Sequence, residues 1–142
     1  MGVQSTIIAK YGNPSVAYQS KYCMIWEVQK DFAWFPVKKI LINKEFKDKL
    51  FNAFTQLEKE GLHTEIKTFD GCYNDRAVRG KSSTSLHAWC MAVDMNSAIE
   101  KLAQIKTNWS KRFIEIMIAS GIFWGGNWQS RKDNMHFALY NG

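Results

Sequence analysis

Cysteine is scarce in this chain. Cys23, Cys72 and Cys90 form no C-x-x-C pair and leave an odd thiol, which argues against a disulfide framework and for synthesis in a reducing cytoplasm. Long apolar runs are also missing. No stretch approaches the length that spans a bilayer, and the opening M-G-V-Q-S-T-I-I-A-K lacks the basic start and apolar core of a secretory signal, so no stable membrane association is expected. Neither an internal repeat nor a low-complexity linker interrupts the chain. Its 142 residues leave room for one domain, residues 1–142, and 46% apolar with 14% aromatic content excludes disorder.

What is present reads as an α+β order. After a turn at Gly12-Asn13-Pro14-Ser15, the segments Cys23 to Val28 and Val37 to Ile42 read as strands separated at Pro36. Asn43 then caps a helix from about Lys44 to Glu60, with Phe46, Leu50, Ala53, Phe54 and Leu57 on one face and Gly61 as terminator. A half-exposed strand is expected from His63 to Phe69, and a buried one over Met91 to Met95. Either Asn96 or Ser97 starts a short helix, and either Asn108 or Ser110 starts another that buries Phe113, Ile116 and Met117 before Gly121. Two closing strands carry Trp124 and His136, giving a small antiparallel sheet flanked by helices.

The chemistry concentrates in S-S-T-S-L-H-A-W-C-M-A-V-D, Ser82 to Asp94, and in Asp133 and His136. A hydrolytic zinc takes three protein ligands, commonly imidazole nitrogen and carboxylate oxygen, and leaves a fourth position to water; His87, Asp94 and His136 supply such a set. A carboxylate must then take the proton of that water and pass it to the leaving amine, and Asp133 is the candidate. Six residues separate His87 from Asp94, which does not suit one helical face but suits a loop entering a strand. Asp94 lies within the apolar run Met91–Met95, and a buried carboxylate calls for a partner or a metal. His63 has no motif around it and reads as a hydrogen-bonded core or surface residue.

Ser82, Ser85, His87, Ala92 and Asp94, followed by Trp124-Gly125-Gly126-Asn127-Trp128 and by Asp133, His136 and Phe137, resemble the zinc peptidases that include D-alanyl-D-alanine carboxypeptidases and phage L-alanyl-D-glutamate endolysins. The upstream Phe69 to Arg76, continuing to Arg79-Gly80, resembles the phage and prophage branch. By this resemblance His87, Asp94 and His136 match zinc ligands and Asp133 the catalytic acid/base. Arg76 falls where the family places an arginine near the substrate and the developing oxyanion, with Arg79 as its alternative. Ser82 and Ser85 are implied as supporting or substrate-contacting residues. A guanidinium suits the carboxylates of peptidoglycan stem peptides, which it binds with two parallel hydrogen bonds. Two positions depart from the pattern: Cys90 stands where the family usually has Gly, either as a compact buried residue or as a fourth ligand, and Asn127 replaces a different polar or acidic residue.

The resemblance implies a hedgehog/DD-peptidase-like fold and a zinc peptidase that cuts bacterial peptidoglycan. A monomeric phage or prophage L-alanyl-D-glutamate endopeptidase is expected, waiting in the host bacterial cytoplasm for holin-type release to the wall. A D-alanyl-D-alanine carboxypeptidase is the nearest alternative, and a non-catalytic zinc-containing binding module is the third. The net charge of +6 favours approach to an anionic polymer in a salt-sensitive way. Six tryptophans among basic residues also suit base stacking. No nucleic-acid motif accompanies them, and Trp124 and Trp128 belong to the metal-site segment, so no nucleic-acid partner is expected. The charged run Lys44 to Lys49 reads as a solvated helix face.

Overall fold

In a computed structural model, which describes residues 2–73 and 85–142, the Gly12–Ser15 turn separates two short helices that the sequence pattern does not announce. Gly12 adopts φ +84 and closes α1 (Val3–Tyr11), and the Ser15 hydroxyl caps α2 (Val16–Tyr22) by accepting the Tyr18 N–H at 3.0 Å. Helix α1 buries only Ile7 and Tyr11, too few apolar positions for a clear periodic stripe.

Strand β1 (Cys23–Trp26), a one-turn helix α3 (Val28–Asp31) and strand β2 (Ile40–Asn43) follow. The two strands pair antiparallel, from Cys23 opposite Asn43 to Trp26 opposite Ile40. Both are shorter than the sequence pattern suggests. Val28 accepts the Phe32 N–H at 2.8 Å and so belongs to α3, while Gln29 donates its side-chain amide to the Phe35 carbonyl at 2.7 Å and holds the stretch through Pro36 as an irregular turn. Asn43 ends β2 and caps α4 (Lys44–Lys59) by accepting the Phe46 N–H at 3.0 Å. The expected face of α4 is buried, and Gly61 at φ +75 ends the turn beyond it. Phe54 of that face lies 6.2 Å from Trp26 and 5.3 Å from Phe35, ring to ring. Each such fully buried side chain contributes about 1.5–3 kcal/mol of transfer free energy.

The expected strand from His63 to Phe69 does not form. Residues Leu62–Glu65 make a 3-10 turn, and only Phe69–Gly71 pairs, as β3. Asn96 is the cause: its amide oxygen accepts the Lys67 and Thr68 N–H groups at 2.7 and 3.0 Å, and its amide nitrogen donates to the Glu65 carbonyl at 2.7 Å. A side chain thus satisfies backbone groups that a neighbouring strand would otherwise take. Asn96 itself adopts φ +60, a left-handed conformation tolerated by Asn, and the chain after it forms a turn where a short helix was expected.

Strands β4 (Ala92–Met95), β5 (Phe123–Trp124) and β6 (His136–Ala138) complete a second sheet of order β3-β4-β6-β5, antiparallel throughout. Ser110, the later of the two candidate starts, caps α5 (Lys111–Ala119) by accepting the Phe113 N–H at 3.1 Å, and Gly121 at φ +87 follows its end. Helix α5 buries Phe113, Ile116 and Met117 as expected, and the Phe113 ring lies 6.2 Å from Phe137 of β6. The α+β class is therefore borne out, with two small antiparallel sheets in place of one. Among the described residues, no helix is long and apolar enough to cross a membrane.

Candidate metal centre

Register builds the site. Asp94 of β4 lies directly opposite His136 of β6, so both side chains leave the same face of the sheet, while their neighbours Val93 and Phe137 enter the core. His87 arrives from a 3-10 turn, Leu86–Trp89, whose first N–H groups are held by Ser85: its buried hydroxyl accepts the His87 N–H at 3.2 Å. Cys90, at φ +57, then turns the chain into β4.

The three side chains converge. His87 Nε2 lies 3.2 Å from Asp94 Oδ2, His136 Nδ1 lies 3.4 Å from Asp94 Oδ1, and one ligand atom from each residue falls within 4.8 Å of the others. Both imidazoles are oriented from behind by backbone oxygen, His87 Nδ1 on the Cys72 carbonyl and His136 Nε2 on the Gly142 backbone oxygen, each at 2.7 Å. A backbone oxygen only accepts, so the rear nitrogen carries the proton and, in the neutral ring, the front nitrogen keeps its lone pair. This is the arrangement that outer partners impose on metal-ligating histidines.

Without an ion between them, the three groups stabilise one another's charged forms. Burial by itself would raise the Asp94 carboxyl, but hydrogen bonding and charge from His136 and His87 outweigh it and hold the group well below the ordinary carboxylate range. Burial pulls His136 down, while the Asp94 carboxylate, aided by the charge of Asp133, leaves it above the usual imidazole value. Asp94 Oδ1 is nevertheless buried without a satisfactory hydrogen bond, despite its 3.4 Å approach to His136. A tetrahedral ion with ligand bonds of about 2.0–2.1 Å holds its ligand atoms about 3.3 Å apart. The two imidazoles approach different carboxylate oxygens and the three ligand atoms lie within 4.8 Å of one another, a looser set that a small inward movement would close around such an ion, which would also satisfy the orphaned oxygen.

Asp133 reaches the same pocket, a cavity of about 70 Å³ that His87, Asp94, His136, Trp128 and Arg131 also line. Two glycines set its position and that of its neighbour. A Cβ on Gly125 would stand 2.4 Å from the Asp133 carbonyl oxygen, and one on Gly126 would stand 2.2 Å from the Trp124 ring. The Trp-Gly-Gly sequence is thus a packing requirement. Asp133 N–H donates to the Gly125 carbonyl at 3.1 Å, and the Lys132 ammonium donates to the Gly126 carbonyl at 2.9 Å. Trp109 and Trp124 both donate their indole N–H to the Asn134 carbonyl, at 2.8 and 2.9 Å, which fixes the chain between Asp133 and His136. The resulting centre has two imidazoles and a carboxylate facing inward, with a second carboxylate on the wall. It suits a metal that activates water beside a proton acceptor.

The structure brings His87, Asp94, His136, Asp133 and Ser85 to one place. Arg76, Arg79 and Ser82 lie outside the described residues. Among the described residues Cys90 does not join the ligand cluster; it is fully buried, and the Cys23 thiol together with burial pushes its own thiol up. His63 is remote, its ring 5.1 Å from Trp34. Sequence reasoning missed the Cys72 and Gly142 backbone oxygens, which carry no residue signature. It also missed Arg131, for which a cation two positions before Asp133 was the available signal, and the 5.2 Å approach of Trp128 to His136. Comparison with known families places this geometry in context. Residues 79–139, a little under half of the chain and containing all three ligand candidates and Asp133, match the family model described as D-alanyl-D-alanine carboxypeptidase, a similarity that supports a peptidase acting on peptidoglycan with a group at its centre able to hold a metal.

Proposed function

We propose that the protein is a zinc-dependent peptidoglycan peptidase, and specifically a phage or prophage L-alanyl-D-glutamate endopeptidase. The observation that carries this reading is the convergence of His87 Nε2, His136 Nδ1 and the Asp94 carboxylate within 4.8 Å, with both rear nitrogens committed to backbone oxygen and Asp133 on the same wall. Zinc held there would supply a Lewis acid and a water acidic enough to be deprotonated near neutral pH. Asp133 takes the proton of the attacking water on its carboxylate and delivers it to the amine nitrogen that leaves. Gly125 keeps that carboxylate in place, because any side chain there would collide with Asp133. Arg76, or Arg79 in its stead, meets a substrate carboxylate and the developing oxyanion, with Ser82 and Ser85 in support. The three cysteines are free and buried, in keeping with storage in the host cytoplasm until holin-type release.

A second reading is favoured by the description of the matched family, a carboxypeptidase that removes terminal D-alanine. Mass spectrometry of purified peptidoglycan after incubation, with and without a zinc chelator, separates the two. New L-alanine carboxyl and D-glutamate amino ends are expected, and they vanish with chelator. Chelator-sensitive loss of terminal D-alanine alone would move the assignment to the carboxypeptidase. No product from protein with zinc bound would leave a binding module.

A further inference from the structure

Trp128 borders a second space besides the catalytic pocket. Behind that ring lies a separate groove of about 350 Å³, lined by Ile118, Phe123, Trp124, Asn127, Trp128 and Asn141, a size within the range of about 300–1,000 Å³ typical of small-ligand clefts. Trp128 is the wall shared by both spaces. One contact of its ring is with His136 at 5.2 Å, and its indole N–H donates to Asn141 Oδ1 at 3.1 Å. Phe123 lies on β5, the edge strand of the sheet, and is 47% exposed; Ile118 on α5 is 45% exposed. The groove thus combines two half-exposed apolar side chains and two tryptophan rings with two side-chain amides.

Resting on the peptidase reading above, we propose that this groove is a saccharide subsite that takes an N-acetylated sugar of the glycan strand. A pyranose ring offers an apolar C–H face that packs on aromatic rings, and a rim of hydroxyl and acetamido groups that pair with amide donors and acceptors. Phe123, Trp124 and Trp128 supply the rings, and Asn127 and Asn141 the amides. Adjacency across Trp128 selects the occupant, because a ligand that fills the catalytic pocket and passes over this ring enters the groove with its next segment. In peptidoglycan the L-alanine end of the stem is joined to the sugar through its lactyl group, whereas terminal D-alanine lies at the far end of the stem. A sugar adjacent to the catalytic pocket therefore belongs with cleavage at L-alanine, and the groove deepens the endopeptidase assignment.

Two measurements test the subsite. In the first, the tryptophan indole N–H signals of the whole protein are followed by NMR during titration with chitotetraose, an oligomer of N-acetylglucosamine. The Trp124 and Trp128 signals are expected to shift together and saturate while Trp26 and Trp34 stay in place; their failure to move at millimolar sugar would overturn the proposal. In the second, kcat/KM is compared between a disaccharide-linked stem peptide and the same peptide with only an acetyl cap. The sugar is expected to raise kcat/KM at least about tenfold, mainly through KM. Phe123→Ala should bring that ratio close to one, and Phe123→Tyr should restore it. A wild-type ratio near one, or a ratio indifferent to Phe123→Ala, overturns the subsite and leaves the peptidase reading intact if the capped peptide is cut. Cleavage of neither substrate by zinc-loaded protein overturns both. Shifts with chitotetraose but no preference for the disaccharide-linked peptide would mark a site for N-acetylated glycans unrelated to the wall, and would equally overturn a substrate subsite.

Discussion

In the proposed mechanism Asp133 moves the proton and His87 holds the metal, so single substitutions should pull the two roles apart. Asp133 lines the pocket but is not one of the three converging ligands, so Asp133→Ala should retain zinc at full stoichiometry while kcat falls by about 10²–10⁴, the usual contribution of a positioned acid or base. His87→Ala should lose both metal and activity, because a two-ligand remnant does not hold a hydrolytic ion. Metal content by elemental analysis, measured beside kcat, decides; unchanged hydrolysis by Asp133→Ala would remove the mechanism. Cys90 makes a different case. At φ +57 and fully buried, it occupies a conformation that costs a side-chain-bearing residue about 1–2 kcal/mol relative to glycine. Cys90→Ala keeps that cost and loses the sulfur packing against Cys23, whereas Cys90→Gly relieves it. Glycine should therefore be the more stable replacement by about 1 kcal/mol, the reverse of the order in helices and strands, as read from urea melts of the two variants.

Elements were legible where their own residues determine them. The face of α4, its Asn43 cap and the Ser110 cap of α5 follow from periodicity and side-chain chemistry within a single stretch. The segment from His63 to Phe69 failed because its backbone partner is the side chain of Asn96, far along the chain, and no local pattern contains that information. The candidate metal centre shows the same division. Its candidate ligands are side chains whose types and order were readable, while the backbone oxygens that orient them were not. How α4 and α5 associate was also beyond the sequence. Arg112 of α5 meets Glu60, just past α4, in a two-pronged pair, with Nε on Oε1 and Nη2 on Oε2 each at 2.8 Å. Hydrogen bonding from Arg112 holds the Glu60 carboxyl at about 2, below the value of about 4.3 for an unfolded chain. A depressed folded value means stabilisation that is complete above the unfolded value and is lost as pH falls from about 4.3 towards 2. Glu60→Gln should therefore lower the melting temperature at pH 7 slightly and flatten its decline between pH 5 and pH 3. High salt should shrink both effects, because the pair lies near the surface. A melting curve equally steep in acid for both proteins would show that the pair does not contribute.

For the whole molecule, the candidate centre is a junction of distant chain segments. Ligands and their orienting oxygens come from the end of β3 through Cys72, from the turn before β4, from β4 and β6, and from Gly142. No two of the three ligands are close enough in sequence for an unfolded chain to preserve the site, so an ion that binds there binds the folded state alone and stabilises it by mass action. At free zinc 100-fold above its dissociation constant the gain is about 2.7 kcal/mol. With roughly 2–4 °C for each kcal/mol in a chain approaching 150 residues, chelation should lower the melting temperature by roughly 5–10 °C. Protons compete for the same nitrogens. His136 is held above the ordinary imidazole value by Asp94, so the neutral ring that a metal needs becomes scarce as pH falls through the histidine range, and the chelator effect should shrink with it. Melting curves with and without chelator at pH 8 and at pH 5.5 measure both effects, and His136→Ala should abolish the difference at either pH. A wild-type melting temperature indifferent to chelator at pH 8 would mean that the folded protein holds no ion at this junction, and zinc hydrolysis would have to be abandoned with it.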